Sequence, residues 1–123
     1  MAKILIVDDE QSIRRALRDI LELEKYQVDE AVDGLDCLVK LKQSEYDAII
    51  LDIKMPKMDG MDALDKIQEI ARETPVVMIS GHASIDTAVE AVKKGAFDFI
   101  SKPPDLNRLL ITLRNAMDKS ELI

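Results

Sequence analysis

The chain has 123 residues, 47% of them hydrophobic and 33% charged, with a formal net charge of −7. That length fits one domain, 1–123, able to bury roughly two-thirds of the surface its unfolded form would expose, and the apolar runs, none longer than a strand, exclude a membrane-spanning or disordered chain. The acidic balance excludes a surface that binds nucleic acid directly or docks on anionic lipid, both of which need clustered cations.

A lone cysteine, Cys37, excludes an internal disulfide and suits a small core residue in a reducing compartment. No signal-peptide pattern precedes the first apolar run, so a cytoplasmic location is expected.

In chain order, Lys3 to Val7 is a short apolar run, expected as a strand, and it closes on Asp8 and Asp9. Ile13, Ala16, Leu17, Ile20 and Leu21 then recur at helical spacing, predicting one apolar stripe against a sheet. Gln27 to Val32 reads as a strand that carries charge, hence an edge. Leu35, Leu38 and Val39 form a weaker helical stripe. Ala48 to Leu51 is an apolar strand ending at Asp52, followed by the breaker-rich stretch Ile53-Lys54-Met55-Pro56-Lys57-Met58-Asp59-Gly60.

Leu64, Ile67 and Ile70 mark a third helix, and Val76 to Ile79 a fourth strand ahead of Ser80-Gly81. Ile85, Ala88, Val89 and Val92 form a fourth stripe, stopped by Lys93-Lys94-Gly95, where cations precede a glycine suited to a left-handed cap. Phe97 to Ile100 is the last strand, with Lys102 just beyond it. Leu106, Leu109, Leu110, Leu113 and Met117 complete the pattern as a final helix.

Strands and helices thus alternate through the chain, which predicts βα units with right-handed crossovers in a three-layer α/β sandwich. In such sheets ligands bind beyond the carboxyl ends of the strands, where the strand order reverses. Asp8, Asp9, Asp52, Ser80 and Lys102 each lie at or just past such an end.

Acids gathered at one sheet edge repel by several kcal/mol per close pair, at about 4 Å and an intermediate dielectric, and need a cation or a shared proton. Oxygen donors, without a cysteine cluster and with His82 alone in another loop, favour a hard ion, and so few carboxylates suit Mg²⁺ better than Ca²⁺. A carboxylate beside Mg²⁺ can attack phosphorus, with Lys102 and the Ser80 hydroxyl contacting phosphoryl oxygens from the other side. Each residue also has an ordinary role: Asp8 or Asp9 as a helix cap, with Gln11 completing a capping box, Ser80-Gly81 as a turn, Lys102 as a surface charge. Their conjunction at four strand ends favours an acyl-phosphate site.

These stretches resemble the receiver domain of two-component response regulators: Ile4-Leu5-Ile6-Val7-Asp8-Asp9-Glu10, Leu51-Asp52 through Gly60, Val76 through His82, and Phe97-Asp98-Phe99-Ile100-Ser101-Lys102-Pro103. The resemblance implies a flavodoxin-like (βα)5 fold with a five-stranded parallel sheet in the order 2-1-3-4-5. It implies that Asp52 is the phosphoacceptor, taking its phosphoryl group from a phosphohistidine on a sensor histidine kinase. Asp9 and Asp52 would bind Mg²⁺ directly with the backbone carbonyl of Lys54, and Asp8 through water. Lys102 would pair with the phosphoryl group, Ser80 would donate a hydrogen bond to it, Phe99 would be the switching aromatic, and Lys102-Pro103 would be a cis peptide.

Such a domain is not an enzyme, although it assists its own phosphorylation and dephosphorylation. Its responsive surface would be the helix from Ser84 to Lys94, the strand around Phe99 and the helix from Asp105 onward.

The run from Ser80 through Phe99 resembles most the receivers that head nitrogen-regulation-type, sigma-54-dependent activators. That implies a following ATPase and DNA-binding domain and control of transcription, and leaves open a homodimer. Within the family pattern, Phe99 lacks a phenolic hydroxyl, Lys54 and His82 stand where phosphoryl lifetime is tuned, and Pro104 stands where a large apolar residue is common, at the entry to the last helix. Met55, Met58 and Met61 are expected to fill gaps in packing.

The alternatives are a pseudo-receiver used only as a docking module, against which Asp9, Asp52 and Lys102 argue, and an Mg²⁺-dependent aspartate-nucleophile phosphatase, whose second aspartate would stand where Lys54 does. A flavin-binding module on the same fold would set its phosphate against Asp8-Asp9-Glu10.

Overall fold

The computed structural model describes residues 1–81 and 84–121. Its elements are β1 (Lys3–Val7), α1 (Gln11–Leu23), β2 (Gln27–Ala31), α2 (Gly34–Gln43), β3 (Ala48–Asp52), α3 (Gly60–Ile70), β4 (Val76–Ser80), α4 (Ile85–Lys93), β5 (Asp98–Ser101) and α5 (Leu106–Glu121). All strand pairings are parallel, and the order across the sheet is β2-β1-β3-β4-β5. The register sets Val7 beside both Ala31 and Leu51, Asp52 beside Ile79, and Ser80 beside Ser101. The strands therefore finish level, and the residues expected to act together emerge at one edge.

Strand ends differ slightly from the sequence reading. β3 runs on to include Asp52 and β4 to include Ser80, while β5 begins at Asp98 and closes at Ser101. Ladder hydrogen bonds explain these extensions, since pairing with a neighbour continues past the last apolar residue. β2 ends at Ala31, with Val32 exposed. It lies at an edge of the sheet, as its charge implied.

Alternate strand residues feed two cores, one on each face, as period-two side-chain geometry requires. Ile4, Ile6, Ile50, Ile79 and Ile100 meet Leu17 and Leu21 of α1 and Leu109 and Leu113 of α5. Leu5, Val7, Ile49, Leu51, Met78 and Phe99 meet Cys37 of α2, Leu64 and Ile67 of α3 and Ala91 of α4. Each such fully buried Leu or Ile stabilises the fold by about 1.5–3 kcal/mol. Met55, Met58 and Met61 lie partly buried against the second core, in the gap-filling role expected of them.

The predicted helical stripes are only partly inward. In α1 Leu17 and Leu21 are buried and Ile13 and Ile20 pack against the core, but Ala16 is exposed. In α2 the buried side chain is Cys37, with Leu35 and Val39 exposed, and in α3 Ile70 is exposed. The largest departure is α4, where Ile85 is 83% exposed, Val89 46% and Val92 53%. α1 lies over two strands, β1 and β2, whereas α4 has its main strand contact with β5 alone, so less sheet lies beneath it to cover its apolar face.

Caps define most helix starts. The side chains of Asp33, Asp59, Ser84 and Asp105 accept hydrogen bonds from the amides of Asp36, Asp62, Thr87 and Arg108 at 2.8, 2.9, 3.1 and 3.1 Å, each satisfying an otherwise orphaned donor. Asp105 thereby starts α5 one residue beyond Pro104, which lies outside the helix and takes no donor from it. α1 is the exception: neither Asp8 nor Asp9 caps it, and Glu10 occupies the cap position without a side-chain cap hydrogen bond. α4 closes at Gly95, whose φ of 109° fits the expected cap.

Candidate functional site

Asp8 follows the last residue of β1 and is wholly buried; Asp52 is the last residue of β3 and is 3% exposed. The Asp8 amide donates to the Ala31 carbonyl at 3.2 Å, so its backbone continues the β1–β2 ladder. Its Oδ1 accepts the Glu10 amide at 2.9 Å, which turns the chain towards α1. Behind Asp52, the Ile53 amide donates to the Ile79 carbonyl at 3.2 Å and the Gly60 amide to the Ile53 carbonyl at 2.6 Å. Gly60 lies so close to the Asp52 carbonyl oxygen that a Cβ there would collide with it. Only glycine lets the loop fold back this tightly.

Lys102 joins the two acids. Its ammonium lies 2.8 Å from Asp8 Oδ2, 3.2 Å from Asp52 Oδ1 and 3.9 Å from Glu10 Oε1. The contact with Asp8 Oδ2 is ionic, without hydrogen-bond alignment, and that buried oxygen has no hydrogen-bond partner among the described residues. The Lys102 amide donates to the Ser80 carbonyl at 2.8 Å, tying the lysine's backbone to β4, and the Lys102-Pro103 peptide is cis. Ser80 is buried at the same edge, and Phe99 is buried in the core two residues before the end of β5.

The electrostatics follow from burial. Loss of solvent, then the charge of Asp8, pushes the Asp52 carboxyl up to about 6, against the opposing pull of Lys102. For Lys102, burial works downward, but Asp8 and then Asp52 outweigh it and hold its pKa above the ordinary value.

One oxygen from each of Asp8, Asp9 and Glu10 lies within 4.8 Å of the others, so this group could hold a metal ion. A hard divalent cation fits: every donor is a carboxylate oxygen, the acids outnumber the single ammonium, and Asp8 Oδ2 lacks a hydrogen-bond donor. Asp52 is not in that group, being turned to Lys102; Asp9 and Lys54 are exposed.

The expected residues Asp8, Asp52, Ser80 and Lys102 thus converge, and Asp9 borders them. His82 lies outside the described residues.

Two participants were not singled out from sequence. Glu10 completes the acidic group, and its signal was an uninterrupted run of three acids. Arg14 of α1 donates through Nη1 to the Asp8 carbonyl at 2.8 Å and through Nε to Glu30 Oε1 at 2.9 Å. Arg18 Nε takes the other oxygen of Glu30 at 2.7 Å. Burial raises the Glu30 carboxyl, but Arg18 and then Arg14 more than reverse this and leave it below its ordinary value. No spacing along the chain announces that pairing.

Parallel strands in this order, with acids and a lysine gathered at their carboxyl edge, define a phosphorylation-switch domain of the receiver class. The chain belongs to the response regulator receiver domain family, whose model matches residues 4–114. It is 37% identical over 115 residues to the regulatory protein AtoC of Escherichia coli (strain K12), an alignment covering 94% of this chain and 25% of that protein. It is 42% identical over 121 residues to the nitrogen assimilation regulatory protein NtrX of Azorhizobium caulinodans, covering 97% of this chain and 27% of that one.

Among solved structures, the beryllofluoride-activated NtrC4 receiver domain dimer superposes with a TM-score of 0.92 at 41% identity, over 98% of this chain and 99% of that one. These relatives bear out the likeness to receivers of nitrogen-regulation-type activators and favour neither the phosphatase nor the pseudo-receiver. The chain spans about a quarter of the length of the curated relatives. No helix among the described residues is long and apolar enough to cross a membrane.

Proposed function

We propose that Asp52 is the phosphoacceptor of this receiver and that its switch is read out through α4, β5 and α5. The observation that carries this is the Lys102 ammonium held between Asp8 and Asp52, at 2.8 and 3.2 Å. One cation already spans the place where new negative charge would arrive. With a carboxyl pKa of about 6, Asp52 is largely ionised at neutral pH and can act as a nucleophile.

A carboxylate oxygen of Asp52 forms the bond to phosphorus while the bond from phosphorus to the kinase's phosphohistidine nitrogen breaks. The imidazole leaves with that electron pair and takes a proton from solvent. Asp9, Asp52 and the backbone carbonyl of Lys54 would hold Mg²⁺, with Asp8 acting through water, and the ion would supply positive charge to offset that of the phosphoryl oxygens. Lys102 exchanges its contact with Asp52 for one with the phosphoryl group, and the Ser80 hydroxyl donates to it from β4.

The added charge, roughly −1.5 to −2, favours the arrangement in which those contacts form and biases an existing equilibrium of Phe99 and α4. His82 and Lys54 adjust how long the phosphoryl group lasts. The domain, 1–123, works in the cytoplasm, receives its signal from a sensor histidine kinase and controls an ATPase and DNA-binding output in transcription. Self-association as a homodimer has a precedent in the NtrC4 receiver dimer.

The test is labelling by a small phosphodonor such as phosphoramidate with Mg²⁺. Wild type takes up one phosphoryl group per chain and Asp52→Asn takes up none while remaining folded. Undiminished labelling of Asp52→Asn would overturn the assignment.

A further inference from the structure

The acidic turn Asp8-Asp9-Glu10 is closed by the Glu10 amide donating to Asp8 Oδ1 at 2.9 Å, but it leads into a helix that lacks a side-chain cap, so no cap anchors it to α1. From the contacts that remain, we infer that Arg14 is the positioning residue for this turn, setting its affinity for a divalent cation. The inference rests on the reading of this site as the cation site of a receiver. Arg14 is mostly buried, and its planar fork makes two bonds in different directions: Nη1 to the Asp8 carbonyl at 2.8 Å and Nε to Glu30 on β2 at 2.9 Å.

The first bond fixes the peptide plane between Asp8 and Asp9, on which the directions of both carboxylates depend. The second keeps the guanidinium from swinging away. Glu30 is itself fixed from the far side by Arg18 at 2.7 Å.

A guanidinium is suited to this and an ammonium is not, because two rigidly separated donors are needed at once. Partners one step removed from a metal's ligands typically change its affinity by 10–100-fold when lost. Arg14 also brings positive charge close to the acids without competing for their carboxylate oxygens, since it binds a backbone carbonyl.

Arg18 supplies the matched control: it shares Glu30, and its bonds among the described residues go to Glu30 and Glu22, not to the turn. Titration of the 123-residue chain with Mg²⁺ alone, followed by calorimetry and repeated with Mn²⁺ by electron paramagnetic resonance, separates the cases. Arg14→Gln is expected to weaken binding about tenfold, and Arg18→Gln to stay within about twofold of wild type. Arg14→Lys should fall between wild type and Arg14→Gln, as should Glu30→Gln, which loosens the tether and provides the test if Arg14→Gln fails to fold.

At saturating Mg²⁺, Arg14→Gln should recover the labelling stoichiometry of wild type. Equal affinities in Arg14→Gln and wild type, or equal losses in Arg14→Gln and Arg18→Gln, would overturn the inference while leaving the cation site standing. No binding by wild type would instead overturn the reading of the site, and the inference with it.

Discussion

Helix α1 buries Leu17 and Leu21 in the core and is fastened through Arg14 and Arg18 to Glu30 on β2; helix α4 buries Ala91 and leaves Ile85, Val89 and Val92 largely in solvent. α1 follows β1 and α4 follows β4, and they pack on opposite faces of one sheet. α4 is held chiefly at its C-terminal end, where the Lys94 ammonium meets both oxygens of Asp65 on α3, at 3.0 and 2.9 Å. The difference gives the site one fixed wall and one weakly held wall. Elements with few buried apolar contacts are those that open and rearrange at low free-energy cost. If the site switches as proposed, α4 is therefore the helix expected to move, and α1 the one expected to stay.

The comparison can be broken most directly in the core. Leu17→Ala is expected to destabilise the fold by about 2–5 kcal/mol, whereas Val89→Ala should change it by under about 1 kcal/mol; urea unfolding of each variant measures both. Similar losses from the two would contradict the contrast.

Gly60→Ala probes the backing of the site. Its Cβ would strike the Asp52 carbonyl, so a loss of about 1–3 kcal/mol is expected, together with slower phosphodonor labelling. Gly81→Ala meets only Lys102 side-chain carbons, at 4.0 Å, and its stability should stay within about 0.5 kcal/mol of wild type.

Asp52→Asn tests the charge between the walls. Because folding raises the Asp52 pKa from 3.8 to about 6, the native state binds its proton more tightly than the unfolded state does. Wild-type stability therefore loses ground as pH rises from about 4 to about 6, and the asparagine variant, which has no such proton, does not. The stability of Asp52→Asn minus that of wild type, without divalent ions, should climb across that window by at most about 3 kcal/mol and then level off. Asp29 and Glu30, whose pKa values are lowered, titrate in both proteins and cancel from the difference. A flat difference curve would show that Asp52 carries no such burden.

The smallest effect is expected for Lys94→Gln. This exposed pair contributes little to global stability, so the unfolding midpoint should hardly move. Amide exchange from Ala91 to Ala96 should nevertheless accelerate, with the amides of α1 unchanged.

Much of the architecture was legible because its signals are local. The apolar runs of β1, β3 and β4 could be read directly, and the acids, Ser80 and Lys102 stood out because each interrupts or ends such a run. The misreadings share a cause: periodicity identifies an apolar face but not whether another element covers it. The stripe of α4 is as regular as that of α1, yet α1 lies over two strands, β1 and β2, while α4 has its main strand contact with β5 alone. Ala16, small enough to suit either environment, fell on the exposed side. Arg14 was invisible for a different reason, since its partner Glu30 lies 16 residues away and only the parallel pairing of β1 with β2 brings the two together.

The tight seat of Gly60 against the Asp52 carbonyl has a mechanical corollary. Were Asp52 modified as proposed, its backbone would be braced from behind, because the loop has no slack with which to recoil. On the proposed function, any adjustment would instead fall towards Ser80 and the strand bearing Phe99, and so on the helix least able to resist it.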